Sequence, residues 1–214
     1  MAIRGIIFDL DGTLANTLPV CIKAYQDTVY HFCGRVPEEA EIIGLFGPNE
    51  EGMLQQMIPG QLTETLAYYL KVYEQYHLQL CTGLFPGIGG SLSAIQSKGI
   101  KMAIVSGKGA FSAAISMRIL GLEQWIDLVE TGFDYGPDKP RSLRIVLEKW
   151  GLRSPENTAY VGDAPYDMQA AREAGLLPLG AAWAQSSSLK PETPTYATFF
   201  DIASWREWIE KLAS

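Results

Sequence analysis

The sequence predicts an α/β fold: a doubly wound, Rossmann-like parallel sheet with an all-helical block inserted after its first strand. Three observations lead there. Five short runs are nearly continuous in apolar residues rather than alternating, as strands covered on both faces require. Helical patterns separate the later runs, and alternating strand and helix makes a parallel sheet. Between Thr17 and Cys81 no run has strand character at all.

Taken in order, the strands are expected at Ile3–Leu10, Met102–Ser106, Ile126–Val129, Ala159–Val161 and Leu177–Ala181. Ile88, Leu92 and Ile95 fall at helical spacing in Ile88–Lys98, and Ala110–Leu120 and Ser142–Trp150 follow the same pattern. Gly99, Gly121 and Gly151 stand where these helices should stop, because glycine accepts the left-handed conformation of a helix end. The inserted block reads as helices over Thr17–Phe32, Glu50–Met57 and Leu62–Leu80, with the loop Gly44–Pro48 between the first two. Tyr69, Tyr73 and Tyr76 share one face of the last, a pattern of helix packing. The borders lie at Leu14–Asn16 and Thr82–Pro86, which divides the chain into a core of residues 1–14 and 85–214 and a helical domain of residues 15–84. Gln185–Thr195, rich in Ser, Pro and Thr, reads as a surface loop.

Composition narrows the function. The chain has 214 residues, enough to bury a core without disulfide or metal support. Its net charge of −7 argues against nucleic acid or an anionic membrane as partner, since both need a basic footprint. The helical block is the more acidic part, with only Lys23, Arg35 and Lys71 against eight acidic residues. Cys21, Cys33 and Cys81 are odd in number and lack CxxC spacing, so buried reduced thiols are expected. The N-terminus reaches Arg4 too soon for a signal peptide, and the longest apolar run, Gly175–Ala184, is too short to span a bilayer. A cytoplasmic protein is the expectation.

Four motifs carry chemistry. Phe8-Asp9-Leu10-Asp11-Gly12-Thr13 closes the first strand. Asp9 and Asp11, two residues apart on an extended chain, should face one spot at the carboxyl edge of the sheet, where α/β folds bind ligands. Carboxylates that close repel unless a cation intervenes. Ser106-Gly107-Lys108 follows the second strand and is either an anion site or a helix cap. Lys139-Pro140 opens a helix, where a lysine is electrostatically out of place unless an anion is near; a solvated loop lysine is the alternative. Val161-Gly162-Asp163-Ala164-Pro165-Tyr166-Asp167 ends the fourth strand, and Asp163 and Asp167 suit a hard-cation site better than mere helix caps.

The order of these motifs and their places at strand ends resemble the haloacid dehalogenase superfamily over essentially the whole chain. The helical block resembles that superfamily's helical cap. Leu84-Phe85-Pro86-Gly87, Lys101–Ser106, Ala170-Ala171, Ala174-Gly175 and Trp183 resemble its phosphoglycolate-phosphatase-like branch. The resemblance implies a Mg²⁺-dependent phosphatase acting on a small phosphorylated metabolite. It implies Asp9 as nucleophile, Asp11 as general acid and base, and Ser106 and Lys139 as ligands of the phosphoryl oxygens, assisted by the amide of Gly107. It implies Mg²⁺ held by Asp9, the main-chain carbonyl of Asp11 and Asp163, with Asp167 orienting the metal's waters or Lys139. Gly44–Pro48 and Tyr25 should face the substrate, and the protein should be a monomer or homodimer.

Three departures stand out. Ala15-Asn16-Thr17 replaces more usual partners after the first motif, Gly107 stands where Asn is common, and Arg141-Ser142 follows Lys139-Pro140 in place of a second proline. Arg141 is expected to be solvated rather than to touch substrate. Asp11 argues against a dehalogenase, which lacks that acid. A sugar-phosphate mutase resembling β-phosphoglucomutase, or a pyrophosphatase, keeps both aspartates and the cap. A phospho-acceptor signalling module would carry its acceptor on a later strand.

Overall fold

The structure, a computed structural model, describes residues 3–212, so the outermost residues of the expected core lie outside it. The described residues form six parallel strands: β1 (Gly5–Phe8), β2 (Lys101–Val105), β3 (Val129–Glu130), β4 (Thr158–Gly162), β5 (Leu177–Ala181) and β6 (Ala197–Phe199). Their order is β3-β2-β1-β4-β5-β6. The chain winds outward from β1 through β2 and β3, then returns beside β1 with β4. The topological switch point therefore lies between β1 and β4, at the crevice where open α/β sheets bind ligands.

Nine helices complete the described fold. Four, α1 (Leu18–Cys33), α2 (Glu39–Gly44), α3 (Glu50–Met57) and α4 (Leu62–Leu80), fall between β1 and the next core helix, α5 (Ile88–Ser97). The others are α6 (Ala110–Ile119), α7 (Lys139–Trp150), α8 (Pro165–Glu173) and α9 (Ile202–Glu210). Both sheet faces are covered, as the continuous apolar strands require. On β1, Ile6 and Phe8 join a core shared with α5, α9 and the helical block, while Ile7 joins Tyr160, Ala103 and the faces of α7 and α8. The helical block leaves and rejoins the sheet at one place, where the Phe85 N–H donates to the Leu14 carbonyl at 2.9 Å.

Three elements were not legible. α2 buries only Ile42, too little for a periodic signal. β6 and α9 follow the Gln185–Thr195 loop; α9 is capped by Asp201, whose side chain accepts from the Ser204 N–H at 2.7 Å, and is pinned by buried Trp205 and Ile209. The expected strand Ile126–Val129 is corrected to Val129–Glu130. Ile126 is buried as part of the connection from α6, and an apolar run does not distinguish a buried loop from a strand. Cys21 and Cys81 are buried free thiols as expected, but Cys33, the last residue of α1, is exposed. No described helix is long and apolar enough to cross a membrane.

Candidate active site

β1 ends at Phe8, so Asp9 and Asp11 sit in the turn beyond the strand rather than on it. The turn reverses at Gly12, with φ of 74°. A Cβ there would lie 2.3 Å from Asp163 Oδ2, so only glycine lets the β1 turn approach the β4 end. The two aspartates line one cavity but point their carboxylates at different partners. Asp9 Oδ1 accepts the Leu10 N–H at 2.8 Å, and Asp9 Oδ2 accepts from Lys139 Nζ at 2.8 Å. Asp11 Oδ1 accepts the Thr17 hydroxyl and lies 3.1 Å from Lys108 Nζ.

Carboxylate oxygens of Asp9, Asp163 and Asp167 all lie within 4.8 Å of one another. Asp163 follows β4, and Asp167 sits in the first turn of α8, where its Oδ2 accepts the Ala164 N–H at 3.0 Å. Asp167 Oδ1 accepts from Lys139 Nζ at 2.6 Å. Lys139, the first residue of α7, thus bridges two acids across the switch point. Burial pushes the Asp9 carboxyl up to about 7, with Lys139 opposing and Asp167 and Asp11 reinforcing the rise. Burial likewise pushes Asp163 up to about 8, reinforced by Asp9 and Asp167. The acids are more crowded than one lysine can neutralise.

Ser106 and Gly107 follow β2 and line the same cavity, and Ser106 is buried. Lys108, next in sequence, is the unexpected member. Its ammonium is buried, 3.1 Å from Cys21 Sγ, and 4.7 Å from the centre of the Tyr73 ring. Burial pulls its pKa down, but Asp11 and its other neighbours outweigh that and hold it well above the ordinary lysine value. Its motif was visible in the sequence; its place beneath α1 and α4 was not.

The cavity encloses about 380 Å³ between the strand ends and the helical block. The block contributes Leu18, Cys21, Tyr25, Met53, Tyr69, the loop residues Phe46–Asn49 and Glu50 at the start of α3. Gly44–Pro48 therefore reaches the cavity through Phe46, Gly47 and Pro48, and Tyr25 faces it as the sequence suggests. The tyrosine stripe does pack helices, with Tyr25 and Tyr69 rings 4.6 Å apart and the Tyr73 hydroxyl 2.8 Å from Ser116 Oγ on α6. Arg141 does not line the cavity; its guanidinium lies 5.0 Å from the centre of the Phe133 ring and is exposed.

A polar clasp joins block and core. The buried Glu50 carboxylate, at the start of α3, accepts the Gly109 N–H and the Ser112 hydroxyl, the latter at 2.5 Å. Gly109 caps α6 and offers no side chain, so Glu50 supplies from another element the acceptor that helix lacks. Asn49 adds its N–H to the Phe133 carbonyl at 2.9 Å and its side-chain amide to the Gly132 carbonyl at 3.3 Å. Gly52 allows the approach, because a Cβ would lie 2.1 Å from the Asp134 carbonyl oxygen. No sequence signal marked Glu50, since its partners are 59 and 62 residues away.

The model of the haloacid dehalogenase-like hydrolase family matches residues 6–180. Pyrophosphatase PpaX of Bacillus pumilus is 28% identical over 183 residues, covering 85% of this chain and 84% of its own. Phosphoglycolate phosphatase of Escherichia coli K12 is 26% identical over 209 residues, covering 85% of this chain and 82% of its own. Among solved structures, CbbY from Rhodobacter sphaeroides in complex with phosphate superposes with a TM-score of 0.78 at 17% identity, over 94% of this chain and 95% of that one.

Proposed function

The chain belongs to the haloacid dehalogenase-like hydrolase family, and we propose that it is a Mg²⁺-dependent phosphatase that hydrolyses a small phosphomonoester through an aspartyl-phosphate. The observation that carries this reading is the convergence on one cavity of Asp9 and Asp11 from the end of β1, Ser106 from the end of β2 and Lys139 from the start of α7. Residues 15–84 act as a cap over that cavity, and residues 1–14 and 85–214 form the catalytic core.

In this reading Asp9 attacks phosphorus, and the ester oxygen leaves with a proton from Asp11. Asp11 then takes a proton from the water that cleaves the aspartyl-phosphate. Thr17 and Lys108 hold the Asp11 carboxylate at the cavity wall for both transfers. Ser106 and the Gly107 amide bind phosphoryl oxygens, and Lys139 adds a positive charge that is already fixed in place by Asp167. Fixed donors of this kind stabilise charge without reorganising during the reaction.

The donor set fits a hard cation. Its members are carboxylate oxygens, the ligands that Mg²⁺ prefers, and two of them are pushed above the ordinary carboxylate range by burial and by their acidic neighbours. Asp9 and Asp163 would hold the ion with the main-chain carbonyl of Asp11, and Asp167 would orient Lys139 or the ion's waters. When bound, the cation neutralises Asp9 and the phosphoryl charge so that the two can approach. The test is release of phosphate from a panel of esters with Mg²⁺ and with EDTA. Absence of metal-dependent turnover on every ester would refute the reading.

A second reading, pyrophosphatase, is favoured by the naming of the Bacillus pumilus relative. It uses the same chemistry with phosphate as the leaving group. The mutase reading would show instead as an isomeric sugar phosphate formed in the presence of a bisphosphate.

A further inference from the structure

The wall of the cavity away from the acid cluster has a character that the hydrolytic chemistry does not require. Leu18, Tyr25, Phe46, Met53, Tyr69 and Phe133 line it, and Pro48 and Pro137 fill the gap between cap loop and core. Burial holds the Tyr25 and Tyr69 hydroxyls well above the ordinary tyrosine value, so they stay neutral. Among the described residues, none of the three basic residues of the cap, Lys23, Arg35 and Lys71, lines the cavity.

The charges that do line it are already matched or are negative. Lys139 is paired with Asp9 and Asp167. Lys108 is paired with Asp11, and its ammonium also faces Cys21 Sγ and the Tyr73 ring. The charged side chain that the cap does contribute is Glu50, an acid fixed in position by Gly109 and Ser112. Gly107 adds nothing polar beyond its backbone, and the space beside it is open, with no atom within 4 Å of where a Cβ would stand. An anionic leaving group would therefore meet apolar walls and the Glu50 carboxylate, with no unengaged cation, and a buried unpaired charge is costly.

We propose that the cavity selects phosphomonoesters whose leaving group is small, uncharged and apolar, an alkyl or aryl alcohol, over those whose leaving group carries a carboxylate or a second phosphate. The inference rests on the phosphatase reading for the reaction and on the cap-side wall for its selectivity. In the reaction the P–O ester bond breaks, the alcohol leaves with the proton from Asp11, and water supplies the hydroxyl that completes inorganic phosphate. The volume of about 380 Å³ lies near the lower end of small-molecule sites, which limits the leaving group to roughly one ring.

The experiment compares matched esters in Mg²⁺ buffer: phenyl phosphate against 4-carboxyphenyl phosphate, and propyl phosphate against phosphoglycolate, with pyrophosphate as a further anionic substrate. The expected result is a kcat/KM for each neutral ester on the order of a hundredfold above its anionic partner, the scale of an unpaired or like-charge contact. Equal rates, or preference for any anionic member, would overturn the proposal and leave the phosphatase reading standing. A parallel arm measures thermal stabilisation by phenylphosphonate and by phosphonoacetate, neither of which is hydrolysed. Stabilisation by the first and not the second supports the selectivity even if turnover is absent, in which case the phosphatase reading alone fails. The variant Met53→Lys places a cation on the cap wall and should narrow or reverse the preference. Tyr25→Arg does the same from α1 should Met53→Lys fail to fold, and an unchanged preference in a folded variant counts against the proposal.

Discussion

Replacing Glu50 by Ala removes the acceptor that the start of α6 draws from the cap. Two donors, the Gly109 N–H and the Ser112 hydroxyl, lose a buried partner. A hydrogen bond to a charged group contributes about 1.5–3 kcal/mol net, and the desolvation of the carboxylate itself offsets part of the pair's total. A net loss of about 2–3 kcal/mol is the working figure. For a chain of this size each kcal/mol moves Tm by about 2–4 °C, so Glu50→Ala should lower Tm by about 4–12 °C. Glu50→Gln keeps one acceptor oxygen and should fall between Ala and wild type. Differential scanning calorimetry reads the shift.

The same variant has a functional consequence that separates a clasp from a merely stabilising contact. Asn49 still ties the cap loop to Phe133 and Gly132, so the cap remains docked but more loosely. KM should rise more than kcat falls, because cap closure and not the reacting groups is disturbed. A Tm change under about 1 °C for Glu50→Ala would refute the reasoning, because it would mean that water satisfies both donors as well as the carboxylate does.

Asp9→Asn should abolish phosphate release, and circular dichroism should show the fold intact; measurable turnover would remove Asp9 as nucleophile. Gly12→Ala forces a non-glycine residue to φ of 74° and a Cβ against Asp163, so metal-dependent activity should fall, with a stability loss of about 1–2 kcal/mol or more by denaturant titration. Asp9 and Asp163 titrate near 7 and 8 against an unperturbed 3.8, so the folded metal-free protein holds protons the unfolded chain has released, and these groups cost it stability as pH rises toward 8. Mg²⁺ uptake at pH 7 should therefore expel roughly one proton per ion, measurable by calorimetry in buffers of different ionisation enthalpy. Exposed Cys33 should alkylate readily with iodoacetamide, while buried Cys21, its thiol pushed up to about 12, stays protected until the protein unfolds; mass spectrometry of peptides decides.

The parts of the fold that were legible are those where one local signal sufficed. Glu50–Met57 and Leu62–Leu80 form helices with the expected ends, and Leu177–Ala181 forms the expected strand. Asp9, Ser106, Lys139 and Asp163 each follow a strand or open a helix, so the chain's own grammar places them at the sheet edge, and the switch point between β1 and β4 brings them together. The illegible parts depend on partners far along the chain. Lys108 stands in a motif that reads as an anion site or a helix cap, and it becomes a buried neighbour of Asp11 only because α1 and α4 cover it. Tyr69 reads as helix packing, and that reading is right, yet its ring also walls the cavity.

Lys108 also explains how the two aspartates of one motif come to have different surroundings. On an extended strand they would share an environment and repel, with neither distinguished. The turn at Gly12 instead sends Asp9 toward Lys139 and the acids of β4 and α8, and Asp11 toward Thr17 and Lys108. Asp9 is left buried among acids, and on the proposed reading a divalent cation would relieve it. Asp11 is placed beside a lysine of its own and away from the cluster. Since Lys108 touches Cys21 and Tyr73, the partner of Asp11 is held by helices of the cap. On the proposed reading, a cap displaced from the core would uncover Lys108 and slacken its hold on Asp11, so the positioning of Asp11 depends on the cap being down. Lys108→Met should then lower kcat far more than KM, whereas Glu50→Ala should do the reverse; the same kinetic pattern in both variants would show that cap docking and Asp11 positioning are not separate functions.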